Sequence, residues 1–154
     1  MSLMNMELRF SSRLPVLAER LWSDITHMDA INAEMWPWLS MGAPDGVRSL
    51  EDRAWQPGKP LFGSSLKAFC CIPVGVSMLT LERLMTGKGF VEASPMTGMV
   101  LWRHERWLER DQQGCVVHDQ LTFTPRWCPR LSRVMVQLFF RHRHRRLRRR
   151  YRQC

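Results

Sequence analysis

The chain opens in period two. Leu8, Phe10, Ser12 and Leu14 alternate with Glu7, Arg9, Ser11 and Arg13 before Pro15, which predicts a first strand over Glu7–Leu14. Spacing then turns helical. Leu17, Leu21, Ile25 and Met28 form one stripe with Ala18 and Trp22 beside it, predicting a helix over Leu17–His27. Asp29 or a nearby residue is placed to cap a second short helix running toward Met35. Trp36-Pro37 ends it, because the residue before a proline is pushed out of helical geometry. Met41–Pro60 holds Gly42, Pro44, Gly46, Pro57, Gly58 and Pro60, and reads as a long loop with a short strand at Val47–Leu50.

From Leu61 the pattern is a β-meander. Phe62–Ile72, Val76–Met85, Gly89–Ser94, Gly98–Arg110 and Cys115–Thr124 are predicted strands, and each break between them carries Gly or Pro. Cys128–Tyr151 returns to helical spacing, with Pro129 suited to a first turn. Leu131, Val134, Met135, Leu138, Phe139 and His142 make its apolar stripe, expected to cross the concave face of the sheet. Beyond His142 only Leu147 and Tyr151 continue that stripe, so the final three turns are expected to project into solvent. The order predicts an α+β helix-grip fold. A curved antiparallel sheet wraps a long C-terminal helix, and two short helices follow the first strand.

At 154 residues the chain is expected to form one domain over 1–154, able to bury about two-thirds of its unfolded surface. Seven Trp, seven Phe and eleven Met stand against one Tyr. Met fills irregular space and repacks, so this mixture suits a hollow interior as well as an ordinary packed one.

Net charge is +9, but Arg141, Arg143, Arg145, Arg146, Arg148, Arg149, Arg150 and Arg152 supply eight of those charges. Residues 1–140 are nearly neutral, with fifteen Lys or Arg against fourteen Asp or Glu. The Arg-rich end over 141–152 has two active readings, RNA or ribosome binding and docking on an anionic membrane surface. Its plain reading is helix-dipole complementation and solubility, although eight arginines exceed what a dipole needs.

Cys70, Cys71, Cys115, Cys128 and Cys154 form no even framework, which points to free thiols in a reducing cytoplasm. No signal peptide or apolar run long enough to span a membrane is read. No ligand spacing suits a metal, and no Gly-rich phosphate loop or nucleophile elbow appears, so no cofactor is expected.

Three stretches carry a family resemblance. They are Phe10–Val16 with Ala18–Trp22, then Trp102-Arg103-His104-Glu105 with Asp119–Pro125, and finally Leu138-Phe139-Phe140-Arg141-His142-Arg143. Together they resemble the START-like (SRPBCC) superfamily of polyketide cyclase/dehydrase, lipid-transport and birch-pollen-allergen-like proteins, over roughly residues 7–150. The resemblance implies a hydrophobic cavity beneath the C-terminal helix and the binding or transport of an apolar or amphipathic small molecule. It makes Trp102, Leu121, Phe123, Met135, Leu138 and Phe139 wall residues. Met78 and Thr80 join them if the register of their strand allows.

His104 and Asp119 are the candidate polar contacts. They lie on neighbouring strands, on the faces shared by Val100, Trp102 and Arg106 and by Val117, Leu121 and Phe123. Facing a cavity, they would orient a polar ligand head, or act as acid and base in a cyclase or dehydratase. The reading preferred from sequence is plainer, an ion pair or cross-strand hydrogen bond on the sheet's outer face. The functions carried forward are small-molecule binding, docking of the Arg-rich end and, third, acid–base chemistry.

Overall fold

The computed structural model describes residues 4–69 and 71–152. Seven antiparallel strands form one sheet in the order β1-β7-β6-β5-β4-β3-β2. They are β1 (Met6–Leu14), β2 (Leu39–Met41), β3 (Pro60–Ala68), β4 (Ile72–Met85), β5 (Gly89–Ala93), β6 (Met99–Asp111) and β7 (Gly114–Pro125). Helices α1 (Ala18–Thr26) and α2 (Met28–Met35) follow β1, and α3 (Pro129–Arg152) closes the chain against β1, β7 and α2. This is the helix-grip α+β arrangement that the spacing predicts.

Several local expectations are corrected. Val47–Leu50 is no strand, although Ser49 makes an isolated bridge to His27, and Leu39–Met41 pairs with β3 instead. Pro73 and Gly75 lie inside β4 rather than in a turn. The ladder slips there between Leu66 and Lys67, and such a bulge is where a strand tolerates these residues. Leu17 caps α1 and is exposed, so the buried stripe of α1 is Ala18, Leu21, Trp22 and Ile25. Of the cap positions at or near Asp29, His27 is the N-cap of α2, and Asp29 lies in its first turn. Cys70 and Cys154 fall outside the described residues, and Cys71, Cys115 and Cys128 are free thiols.

The largest correction concerns α3. Its buried residues are Val136, Phe140, Arg143, His144, Leu147 and Tyr151. Of the expected core stripe, Leu131, Val134, Met135 and Leu138 are each about half exposed, and Phe139 and His142 are partly buried. The last turns do not project. Leu147 and Tyr151 join the main core with Leu21, Trp22 and Val117, and the Tyr151 hydroxyl donates to Asp24 of α1. Burial and that bond push the phenol pKa up.

The core has two parts. The larger joins α1, β3, β4 and the end of α3, and the smaller joins Leu8, Leu121, Phe123, Val136 and Phe140. On β7, Val117 belongs to the first and Leu121 to the second, with Asp119 between them on the same inward face. A charged residue therefore divides two greasy clusters, and the buried Arg106, His104 and His144 all bond to it. Backbone geometry brings it there: Gly114 has φ +146°, and a side chain at this turn of the β6–β7 hairpin would collide with Leu14 of β1.

Candidate functional site

Period-two alternation turns Trp102, His104 and Arg106 of β6 and Phe90 and Glu92 of β5 to the concave side. There they line a cavity of about 440 Å³, roofed by Ser132, Met135, Val136, Phe139 and Arg143 of α3. The far wall comes from Ile25, Met28, Ile31 and Met35 of the two short helices and from Ser77 and Leu79 of β4. The volume falls within the roughly 300–1,000 Å³ usual for small-molecule pockets. Methionines contribute Met28, Met35, Met41, Met96, Met99 and Met135 to this lining, which gives an adaptable wall.

One end of the cavity is polar. Arg106 is fully buried and spends Nε and Nη2 on the two carboxylate oxygens of Asp119, both at 2.7 Å. It also spends Nη1 and Nη2 on Glu34 of α2, at 3.0 and 2.6 Å. Burying a guanidinium costs several kcal/mol, and only dense pairing of this kind offsets it. Asp119 accepts two further bonds, from Nε2 of His104 and Nε2 of His144, each 2.7 Å. The adjacent Arg106 and these bonds hold its carboxyl well below the usual carboxylate range, against the opposing effect of burial. Glu34 is likewise lowered by Arg106 and Arg143 despite its burial.

On its other side, His144 Nδ1 shares a 2.7 Å hydrogen bond with the Ser12 hydroxyl, and Ser12 accepts from Arg148 at 2.8 Å. The chain of bonds thus runs from the cavity floor to the surface of α3.

The candidate residues divide accordingly. Trp102, His104, Met135 and Phe139 lie on the cavity wall. Asp119 is one step behind it, bonded to His104. Leu121 and Phe123 are completely buried in the smaller core, where Phe140 separates them from the cavity side of α3. Leu138 points outward, one residue from Phe139 on the helix. Met78 also faces out, packed over Gly63, because Ser77 and Leu79 take the concave face of β4. Thr80 is buried on the alternate face, with its amide bonded to Ser94 Oγ. The His104–Asp119 contact is an interior one. The outer-face pair expected of it is found at His118, which bonds Ser11 at 2.7 Å and Glu109 at 2.9 Å.

The arginine end is also divided. Arg143 is buried against Glu34 at 2.9 Å and lies 4.8 Å over the Phe140 ring. Arg146 donates to the Ala33 carbonyl at 2.7 Å, and Arg150 lies 3.6 Å from Asp24. Arg148 is the partner of Ser12. Arg141, Arg145, Arg149 and Arg152 are exposed on one face of α3 and have no ion-pair partner among the described residues.

Two residues on the wall are invisible to hydropathy. Glu92 accepts one bond from the Trp102 indole at 3.1 Å and makes no salt bridge among the described residues. Burial pushes its carboxyl pKa up, with His104, Arg143 and Arg106 opposing. Ser77 is completely buried, and its hydroxyl has no hydrogen-bond partner among the described residues. Glu34, which lies behind the wall on α2, is equally hidden and stands 72 residues from Arg106. Its only sequence signal is an acid on the otherwise apolar side of a short helix.

The family comparison covers nearly this whole frame. A family model described as domain of unknown function (DUF8410) matches residues 12–151. The chain belongs to that family. No curated protein matches it. Among solved structures, this DUF8410 member is similar to a START superfamily protein from Mycobacterium smegmatis at 10% identity and TM-score 0.69, covering 96% of this chain and 97% of that one. It is similar to Ara h 8.0201 at 13% identity and TM-score 0.65, over 94% and 96% of the two chains. It is also similar to an AHSA1-like protein from Aeromonas hydrophila at 14% identity and TM-score 0.61, over 92% of each. At these identities the likeness establishes the START-like fold and no more. No described helix is long and apolar enough to cross a membrane.

Proposed function

We propose that this protein binds an apolar or amphipathic small molecule in the cavity between the sheet and α3. The observation that carries the reading is the cavity's lining: Met, Leu, Ile, Phe and Trp around about 440 Å³, with charged groups gathered at one end. A surface of this composition gains by excluding water, at about 25 cal/mol per Å² of apolar area covered. Likeness in fold to a START superfamily protein supports it by analogy.

Native mass spectrometry of the purified protein, followed by organic extraction, tests the reading. The expected result is a co-purified apolar molecule released by extraction. An empty protein that also takes up no dodecan-1-ol would remove the reading.

A second reading is favoured by one observation. Arg141, Arg145, Arg149 and Arg152 form an exposed, unpaired basic face that would suit RNA, a ribosome or an anionic membrane. Its mark would be steep salt dependence, lost when these four arginines become glutamine.

The acid–base reading gains no such support. Asp119 has four hydrogen bonds on its two oxygens and a guanidinium against it, leaving no free position for a substrate proton.

A further inference from the structure

Arg106 and Arg143 both line the cavity, but they are in different states. Arg106 is consumed by Glu34 and Asp119. Arg143 commits only Nε, to Glu34, and its two Nη atoms have no hydrogen-bond partner among the described residues. Nor are they among the buried unpartnered atoms, so they are accessible from the cavity. They are therefore free cationic donors in an otherwise apolar space.

Glu92 on β5 is their counterpart. It stands opposite His104 in the ladder, and its Oε1 accepts the Trp102 indole. Its Oε2 has no partner among the described residues and, like the Arg143 Nη atoms, is not sealed off. Buried charge elsewhere in the cluster is matched, with Arg106 and Arg143 against Glu34 and Asp119. Glu92 is the odd acid.

We propose that the cavity takes amphipathic carboxylic acids, with the head group held between the free Nη atoms of Arg143 and the free carboxyl oxygen of Glu92. The ligand carboxylate accepts from the guanidinium, and Glu92 and the ligand share one proton, since two ionised carboxyls so close would repel. The apolar body lies along Phe90, Trp102, Phe139 and Leu79. Burial raises the Glu92 carboxyl pKa, the direction expected of a group that keeps a shared proton. The charged groups acting on Glu92 are His104 and Arg106 from β6 and Arg143 from α3. His104 is held by Asp119 through Nε2, and Arg106 is already paired. The proposal rests on the small-molecule reading above.

Titration calorimetry with dodecanoate and with dodecan-1-ol separates the two. The acid is expected to bind at least about tenfold tighter than the alcohol at pH 6, as one charge-assisted contact allows. Its affinity should fall, by up to about tenfold per pH unit, once pH rises past the Glu92 pKa. The alcohol's affinity should stay flat. Glu92→Gln should abolish the acid's pH dependence while keeping its binding. Arg143→Met should lose the acid's advantage and keep the alcohol. Should Arg143→Met not fold, the wild-type pH profile and Glu92→Gln still decide. Equal affinity for acid and alcohol, without pH dependence, would overturn the head-group assignment and leave the cavity reading intact. Binding of neither probe would overturn both.

Discussion

Arg106 and Asp119 face each other across the β6–β7 ladder and share two parallel hydrogen bonds of 2.7 Å, fully out of solvent. The pair sits where two hydrophobic clusters meet. It favours the observed register of the hairpin's inner face, because a one-residue slip of either strand would carry one charge outside and leave the other buried without it. Asp119→Asn should therefore destabilise the protein by about 3–5 kcal/mol, by leaving Arg106 and Glu34 imperfectly balanced. Urea unfolding followed by tryptophan fluorescence measures this, and a loss under 1 kcal/mol would show that the pair is not the keystone of the interior.

Acid should reveal the same pair. Asp119 and Glu34 titrate below their unfolded values, so the stability they contribute is complete above about pH 4–5, where unfolded carboxyls are ionised. It is lost as pH falls toward their lower folded values. Denaturation midpoints recorded from pH 6 down to pH 2 should decline over that lower range, and Asp119→Asn should flatten the decline. An equal slope in the variant would assign acid sensitivity to other groups.

Ser77 gives a prediction of opposite sign. Its hydroxyl is buried on the cavity wall without a partner among the described residues, an arrangement that costs about 1–3 kcal/mol. Ser77→Ala is expected to leave thermal stability unchanged or to raise it. A drop of more than about 1 kcal/mol in denaturant unfolding would mean that the hydroxyl has a partner in solution.

Neighbouring residues on α3 should separate sharply. Phe139 lines the cavity while Leu138 is exposed, so Phe139→Asp is expected to abolish uptake of dodecan-1-ol and Leu138→Lys to preserve it. Among the arginines, replacing Arg141, Arg145, Arg149 or Arg152 by Gln should change stability by no more than about 0.5 kcal/mol. Arg143→Gln removes a buried partner of Glu34 and should cost several times as much. Thermal unfolding of the five single variants checks the ordering.

The pattern of these positions explains what a reader of the sequence can and cannot see. Strand β7 is legible because one face is buried along its length, and β6 because its buried His104 and Arg106 alternate with less buried neighbours. The face of α3 is not legible from hydropathy. Two stripes compete, and the more apolar one, Leu131, Val134, Met135 and Leu138, is the less buried. The buried stripe contains Arg143 and His144, whose acceptors, Glu34 and Asp119, lie 109 and 25 residues away. No local spacing records such a pairing. The place of Met78 and Thr80 depends on the register of β4, which the sequence leaves open, and the strand's pairing puts Ser77 and Leu79 inside. Glu92 is hidden for the same reason, as an acid at an inward position next to Phe90.

The central claim is that an apolar ligand occupies the space enclosed by α1, α2, the sheet and α3. Methyl-labelled methionine NMR tests it most directly, because Met28, Met35, Met41, Met96 and Met99 line the cavity while Met78 and Met85 are exposed and absent from its wall. Titration with dodecan-1-ol should shift the resonances of the first five and leave Met78 and Met85 in place. Shifts confined to Met78 and Met85, or none at all, would contradict the account.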